Sequence, residues 1–273
     1  MRIISLINLK GGVAKTTTTI NMAAILSKIY KKKILIVDND VQANATKYFN
    51  LHNYDTSSIE DVYRQHNADV REIIKHCKME DSEVDLIPAN MNLDDALTNL
   101  MKDTEREQIT QLRDALKQVE QDYDFCIIDN PPGVGLNILN AIVCSHDIIV
   151  PIKLDKHSLD GMQDLFEIVK DLISYNPNLD TVTCLVTMYK KTMYAADTVL
   201  RKSDYDVFHT RIRYSEKVDS ASFETGNGLL SFSPRSAACI DYKIFVKEYI
   251  ESLPATMRKE FSNAKNKNVG KAK

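Results

Sequence analysis

Five short apolar runs punctuate the chain: "RIISLIN" at 2–8, "ILIVDND" at 34–40, "FCIIDNPPG" at 125–133, "DIIVPI" at 147–152 and "TVTCLVT" at 181–187. Unbroken Ile, Leu and Val over such lengths fit strands buried on both faces, as in parallel sheets. Between the runs the spacing changes to that of helices. Met22, Ile25, Leu26 and Ile29 make one apolar stripe; Leu159, Met162, Leu165, Phe166 and Val169 make another. The stretch 90–121 also reads as helix, and "PRSAACIDYKIFVKEYI" reads as a closing helix starting after Pro234. Alternation of this kind predicts an α/β fold with a doubly wound, mostly parallel sheet and helices on both faces. Ligands of such sheets lie beyond the carboxyl ends of the strands, so the residues that end each run are the place to look for chemistry.

Composition narrows the picture without redirecting it. The 273 residues are 44% hydrophobic and 27% charged, which suits a globular protein, and no clear boundary precedes residue 255. One domain over 1–255 with a tail over 256–273 is therefore expected. No apolar run approaches the ~20 residues of a membrane span, and the N-terminal stretch is too short for a signal peptide. The five cysteines are scattered and form no C-x-x-C pair. These features point to a cytoplasmic protein with reduced thiols. A net charge of −3 selects no class of partner, but the tail is basic: Arg258, Lys259, Lys265, Lys267, Lys271 and Lys273 against Glu260. With no large apolar residue after Phe261 it is expected to be mobile.

The first run leads into "NLKGGVAKTTTTIN" at 8–21. A phosphate loop of the pattern G-x-x-x-x-G-K-[ST] ending at Lys15 would carry glycine at 9 and 14; Leu9 and Ala14 stand there, and a glycine pair, Gly11 and Gly12, follows an additional lysine, Lys10. The segment from Lys10 through Gly11, Gly12, Val13, Ala14, Lys15, Thr16 and Thr17 still has the parts of a nucleotide cradle. Backbone N–H groups at a helix start favour phosphate. Lys15 is placed for the β- and γ-phosphates, Thr16 for Mg²⁺ and Thr17 for the α-phosphate. A glycine turn before a threonine-rich helix start is the bland alternative, yet threonine is a mediocre helix former, so folding alone does not ask for four in a row. Lys10, on the opposite flank from Lys15, is better placed to reach a nucleotide held by a second copy of the chain.

"KGGVAKTT" resembles the deviant phosphate loop K-G-G-x-x-K-[ST] of the ParA/MinD group. That resemblance implies an ATP-bound sandwich homodimer in which Lys10 contacts phosphate across the interface. Ala14 replaces a common family glycine; alanine there requires a negative φ to be unstrained, and the change points to altered turnover. "VDNDVQANAT" is similar to the ParA motif D-x-D-P-Q-x-N-A-T, matching at Asp38, Asp40, Gln42, Asn44, Ala45 and Thr46, with Val41 for proline and Ala43 for glycine. By resemblance Asp40 orients the attacking water and Asp38 supports the metal region, a sensible division for phosphoryl transfer to water. "FCIIDNPPG" resembles a Walker B strand whose Asp129 holds Mg²⁺. The pattern P-P-x-x-G-x-x-x-x-N-A is met by Pro131, Pro132, Gly135, Asn140 and Ala141, and the likeness runs over about residues 2–250.

Within the group, a MinD-like member would end in an amphipathic membrane-targeting helix, and "MRKEFSNAKNKNVGKAK" lacks the apolar face it needs. Nor do the cysteines suit a shared iron–sulfur cluster. The resemblance is to ParA proper: a Mg-dependent ATP hydrolase, weak without its partner, whose ATP dimer binds double-stranded DNA without sequence preference and is reset by a ParB-like centromere-binding protein. Nucleoid association when ATP-bound follows, with no membrane partner. The chain begins shortly before its loop, so an operator-reading N-terminal domain is not expected. Nonspecific DNA binding needs a basic surface, and "HTRIRYSEK" resembles the family segment that carries DNA-contacting arginines, nominating Arg211, Arg213 and Lys217. Lys190, Lys191, Arg201, Lys202, Lys243 and Lys247 are further candidates. A MinD-like membrane-cycling positioning ATPase is the alternative.

Overall fold

The structure, a computed structural model, describes residues 1–79, 82–155, 160–222, 228–258 and 261. Eight strands form one sheet: β1 (Arg2–Leu6), β2 (Ile34–Asp38), β3 (Lys75–Met79), β4 (Ser82–Ile87), β5 (Phe125–Asp129), β6 (Asp147–Lys153), β7 (Thr181–Tyr189) and β8 (Val207–Arg213). Their order is β3-β4-β2-β5-β1-β6-β7-β8. All neighbours run parallel except β3, which turns back along β4. Helices α1 (Lys15–Lys28), α2 (Asn44–Tyr48), α3 (Ile59–Arg64), α4 (Val70–Ile73), α5 (Asn92–Lys102) and α6 (Gln111–Lys117) lie in the first half. The second half contributes α7 (Leu136–Cys144), α8 (Asp160–Leu172), α9 (Tyr194–Leu200), α10 (Glu216–Ser222), α11 (Leu229–Phe232) and α12 (Ala237–Ser252).

Strand alternation divides the interior into two layers. Leu35, Val37, Cys126 and Ile128 face a cluster built with α3, α5, α6, α7 and α8. Ile34, Ile36, Phe125 and Ile127 face the opposite one, closed by α1, α11 and α12. Both sides of the central strands are thus covered, which is why they read as unbroken apolar runs. All five cysteines are free and buried, as the sequence suggested.

Three expectations change. The helix read over 90–121 is broken into α5 and α6, because "DTEREQ" at 103–108 has no apolar residue to bury. There Asp103 accepts from the Glu105 amide at 3.1 Å, turning the chain. Strands β3 and β8 carry too many polar residues to stand out, and both are sheet edges, where one face meets water. The boundary drawn at 256 falls within packed structure: residues 255–258 are helical and Phe261 is buried, its ring meeting Tyr30 edge-on at 5.8 Å. The remaining basic residues of the tail lie outside the described residues, as does Leu159 of the second apolar stripe.

Candidate nucleotide site

Strand order places the site. From β1 the chain passes by α1 to β2 on one side, while β5 continues to β6 on the other, so the carboxyl ends of β1, β2 and β5 meet at a switch point. Register brings Leu6 and Asp38 to either side of Asp129. Lys15, Thr16, Asp38, Asp40 and Asp129 are therefore gathered at one edge, as the apolar runs implied.

The phosphate loop is held open by left-handed residues. Gly12 has φ +70°, and a Cβ added there would meet nothing within 4 Å, so its backbone angle is the reason for glycine. Gly11 is different: an added Cβ would only touch Pro132 at 3.9 Å. Ala14, at the N-cap of α1, has φ +69°, and Ala43, at the N-cap of α2, has φ +52°. The condition for an unstrained alanine at 14, a negative φ, is thus not met. At both positions where the resembling motifs carry glycine, this chain keeps glycine's conformation and accepts the strain of a Cβ, about 1–2 kcal/mol each for an L-residue. Val13 is buried, and its carbonyl accepts from the Thr187 hydroxyl at 3.0 Å, which fixes the loop against β7.

The two lysines go separate ways. Lys15 is buried, its Nζ donating to the carbonyls of Asn8 and Lys10 at 3.0 Å each, so it curls into its own loop. Desolvation lowers its pKa against the raising influence of Asp129 and Asp40. Lys10 leaves the loop and pairs with Asp155, beyond the end of β6, at 2.5 Å. Asp155 was not foreseen, though the clue was present: "DIIVPIKLD" is a further apolar run ending in aspartate.

The carboxylates also differ. Asp38 is fully buried and committed: its Oδ2 accepts from the Thr46 amide and hydroxyl at 2.7 Å each, and its Oδ1 from the Asp40 amide at 3.3 Å. Asp40 accepts from the Gln42 amide at 2.9 Å, which fixes its rotamer at the lip of α2. Asp129 is the unsatisfied one. Thr19 donates to its Oδ1 at 3.5 Å, while its buried Oδ2 has no hydrogen-bond partner among the described residues. Burial first, then the charge of Asp38, pushes the Asp129 carboxyl well above the ordinary carboxylate range; burial likewise raises Asp38. A buried acceptor without a donor asks for a cation. The donor set fits magnesium, which takes one or two carboxylates and leaves the rest of its shell to water and phosphate: Asp129 and the Thr16 hydroxyl are the residues that would supply the protein's share. No group of three or more His, Cys, Asp or Glu suited to an all-protein metal site occurs among the described residues.

Two hollows adjoin the loop, sharing Thr17 and Val218. The larger, about 400 Å³, lies between α1, α2 and α11 and is lined by Thr16, Thr17, Asn44, Tyr48 and Leu229. The Tyr48 hydroxyl beside it is buried without a hydrogen-bond partner among the described residues. The smaller, about 30 Å³, is walled by Ala14, Met188, Tyr214 and Tyr242.

The proposed DNA residues sit apart, on β8 and α10. Arg211 donates through Nε, at 2.7 Å, and through Nη2 to one oxygen, Oδ2, of the buried Asp197, and Arg213 grips both oxygens of Asp241 at 2.8 and 2.7 Å. These hydrogen bonds hold both guanidinium groups above their usual pKa. Lys217 is exposed on α10. Among the other candidates, Arg201 also pairs with Asp197, Lys190 lies 4.3 Å above the Tyr214 ring, and Lys247 reaches Glu251 at 3.5 Å.

Comparison with known proteins agrees with this geometry. A family model described as an AAA domain matches residues 1–181. The sporulation initiation inhibitor protein Soj of Bacillus subtilis is 32% identical over 253 residues, covering 90% of this chain and 97% of Soj. The chromosome partitioning protein ParA of Myxococcus xanthus is 30% identical over 260 residues, covering 92% and 88%. Among solved structures, cobyrinic acid a,c-diamide synthase from Mycobacterium smegmatis with an ATP analogue and magnesium superposes with a TM-score of 0.76 at 25% identity, covering 90% and 93%. A phosphate loop with a second lysine, two aspartate-ended strands at the switch point and relatives matched along nearly their whole length lead to one conclusion: the chain belongs to the ParA/Soj-type family of partitioning ATPases.

Proposed function

We propose that this protein is an ATP-driven DNA-partitioning switch, closing as a homodimer on ATP, holding nonspecific duplex DNA in that state, and released by hydrolysis that a ParB-like partner accelerates. The observation that carries the reading is the division of labour between the loop lysines. Lys15 is buried in its own loop, where it serves the phosphates of its own nucleotide, while Lys10 is directed outward, 37% exposed and held by Asp155. An outward lysine at a phosphate loop suits a nucleotide sandwiched between two copies.

In this reading the hollow beside Thr16 and Thr17 takes the nucleoside end of ATP. Asp129 and Thr16 hold magnesium, which neutralises charge on the phosphates when bound. Asp38 shapes the loop through Thr46 rather than offering a free oxygen to the ion. Asp40 orients the attacking water. The strain retained at Ala14 and Ala43 places turnover under tight geometric control. For DNA, Lys217 is a direct contact, whereas Arg211 and Arg213 must share their charge with Asp197 and Asp241.

Retention of Asp40→Ala protein on random-sequence duplex DNA, with Mg-ATP against Mg-ADP across a salt series, tests the proposal. ATP-dependent retention that falls steeply with salt is expected, each phosphate contact adding about 0.9 to the log–log slope. Absence of retention in both states refutes DNA as the matrix; ATP-dependent binding to anionic vesicles instead would establish the membrane-cycling alternative.

A further inference from the structure

Between the carboxylates of "DND" lies Asn39, fully buried, with all its polar atoms engaged. Its amide donates to the Asp129 carbonyl at 2.9 Å. Its Nδ2 donates to Asn130 Oδ1 at 2.8 Å and to the Asn137 carbonyl at 3.0 Å. Its Oδ1 accepts from the Tyr63 hydroxyl at 2.9 Å. Asn137, near the start of α7, answers in kind: its Nδ2 donates to the Asn39 carbonyl at 2.8 Å. Each side-chain amide therefore holds the other residue's backbone carbonyl. Asn39 and Asn137 stand at positions the resembling motifs leave open, so the motifs do not account for them.

The clasp joins two segments that border the phosphate loop. One is the turn that carries Asp40, a single residue beyond Asn39. The other is the loop of 131–135, whose Gly133 amide donates to the Leu9 carbonyl in the phosphate loop at 2.9 Å and whose Val134 is 59% exposed. Gly135 makes room for the clasp: a Cβ there would come within 2.8 Å of Asn137 Oδ1. Fully satisfied buried networks of this kind rigidify what they join.

We infer that Asn39 and Asn137 are positioning residues for ATP hydrolysis, a reciprocal amide clasp through which the 131–135 loop sets the placement of Asp40. The inference rests on the reading of Asp40 as the water-orienting carboxylate. Neither asparagine touches the reacting atoms. The clasp acts by holding the Asp40 turn in register with a loop that itself contacts the phosphate loop.

A double-mutant cycle on the full chain tests it. Asn137→Ala is expected to lower kcat about 10²-fold, the loss typical of a displaced catalytic group, with the ATP Kd changed by less than about threefold. In the Asp40→Ala background the same substitution is expected to cost nothing more, since it acts through Asp40. A merely structural role would weaken ATP binding and would add to the loss in both backgrounds; that result overturns the clasp. Asp40→Ala slow but Asn137→Ala normal overturns the clasp alone, whereas Asp40→Ala with normal turnover overturns the hydrolysis reading and the clasp with it. Should Asn137→Ala fail to fold, Tyr63→Phe removes only the hydroxyl on Asn39 Oδ1. It is expected to lower kcat about threefold to tenfold without changing Kd, and unchanged turnover there refutes the network.

Discussion

Replacing Asp129 by asparagine is expected to stabilise the ligand-free protein and to destroy its response to magnesium. Asp129 is 1% exposed, its Oδ2 lacks a donor among the described residues, and Asp38 and Asp40 add repulsion. Leaving such an acceptor unpaired costs about 1–3 kcal/mol. The asparagine amide keeps the shape and removes the buried charge that Asp38 and Asp40 repel, so a gain of about 2 kcal/mol is a fair central value. With ~2.1 cal/mol/K of unfolding entropy per residue, a chain of this length has ~0.6 kcal/mol/K, which converts the gain to about 3–4 °C in Tm. The sign with pH follows from the raised carboxyl. The native state binds the extra proton, so wild-type stability is fully present below the unfolded carboxylate pKa near ~4 and is lost as pH rises towards the folded value. The asparagine advantage should accordingly grow between pH 5 and pH 8. With Mg-ATP at about 100 times Kd the wild type gains ~2.7 kcal/mol; the variant should gain less than about 0.5 kcal/mol, and the order of stability should reverse. Scanning calorimetry in EDTA and in Mg-ATP measures both halves. A variant less stable than wild type in EDTA, or one whose advantage shrinks with rising pH, would refute the argument from the unpaired oxygen.

Other consequences follow from the same geometry. Ala14→Gly should raise Tm by about 1 °C, since relief of ~1–2 kcal/mol of left-handed strain exceeds the entropy added to the unfolded chain; Ala43→Gly, which also empties a fully buried methyl, should be neutral. Differential scanning fluorimetry separates them, and equal shifts would contradict the role given to burial. Asp155→Asn loosens the hold on Lys10, a half-exposed pair worth about 0–1 kcal/mol, and should lower the protein concentration needed for ATP-dependent dimers up to about fivefold by analytical ultracentrifugation. Lys217→Ala should reduce the DNA salt slope by about 0.9 per protomer with Tm unchanged, while Arg211→Ala, by leaving the buried Asp197 to Arg201 alone, should also lower stability by about 1 kcal/mol; equal Tm values for the two would show that the Arg211–Asp197 pair is dispensable.

The core strands were legible because burial on both faces leaves few polar residues to blur the run: β1, β2 and β5 fall within the runs read from sequence, and β6 and β7 outrun theirs by one and two residues. Edge strands β3 and β8 were not, since "KHCKM" and "VFHTRIR" mix charge with apolar residues in the way exposed turns do. At the site, the strand-ending positions of Asp38 and Asp129 told where they would meet, because the end of a parallel strand is a place in space as well as in sequence. What Lys10 touches in the ligand-free protein depended on a residue 145 positions away. The Asn39–Asn137 clasp was hidden for a similar reason. An asparagine announces no periodicity, and its value lies in a partner 98 residues distant. Ala14 shows a different limit. Its identity left the sign of φ open, and the turn into α1, imposed by the loop as a whole, overrides the preference of one residue.

Arg2 and Tyr249 share one acceptor. The Arg2 guanidinium holds Asp147 at 2.6 and 2.7 Å and Asp180 at 2.8 Å, while the Tyr249 hydroxyl donates to Asp147 at 2.6 Å. During synthesis, Arg2 of β1 must therefore wait for α12 before its charge is fully enclosed. Until α12 arrives, one face of the central strands is covered only in part, by α1 and α11, and Asp147 is short of a donor. Native closure is thus a late, long-range event of the kind that slows folding and exposes an assembling chain to aggregation.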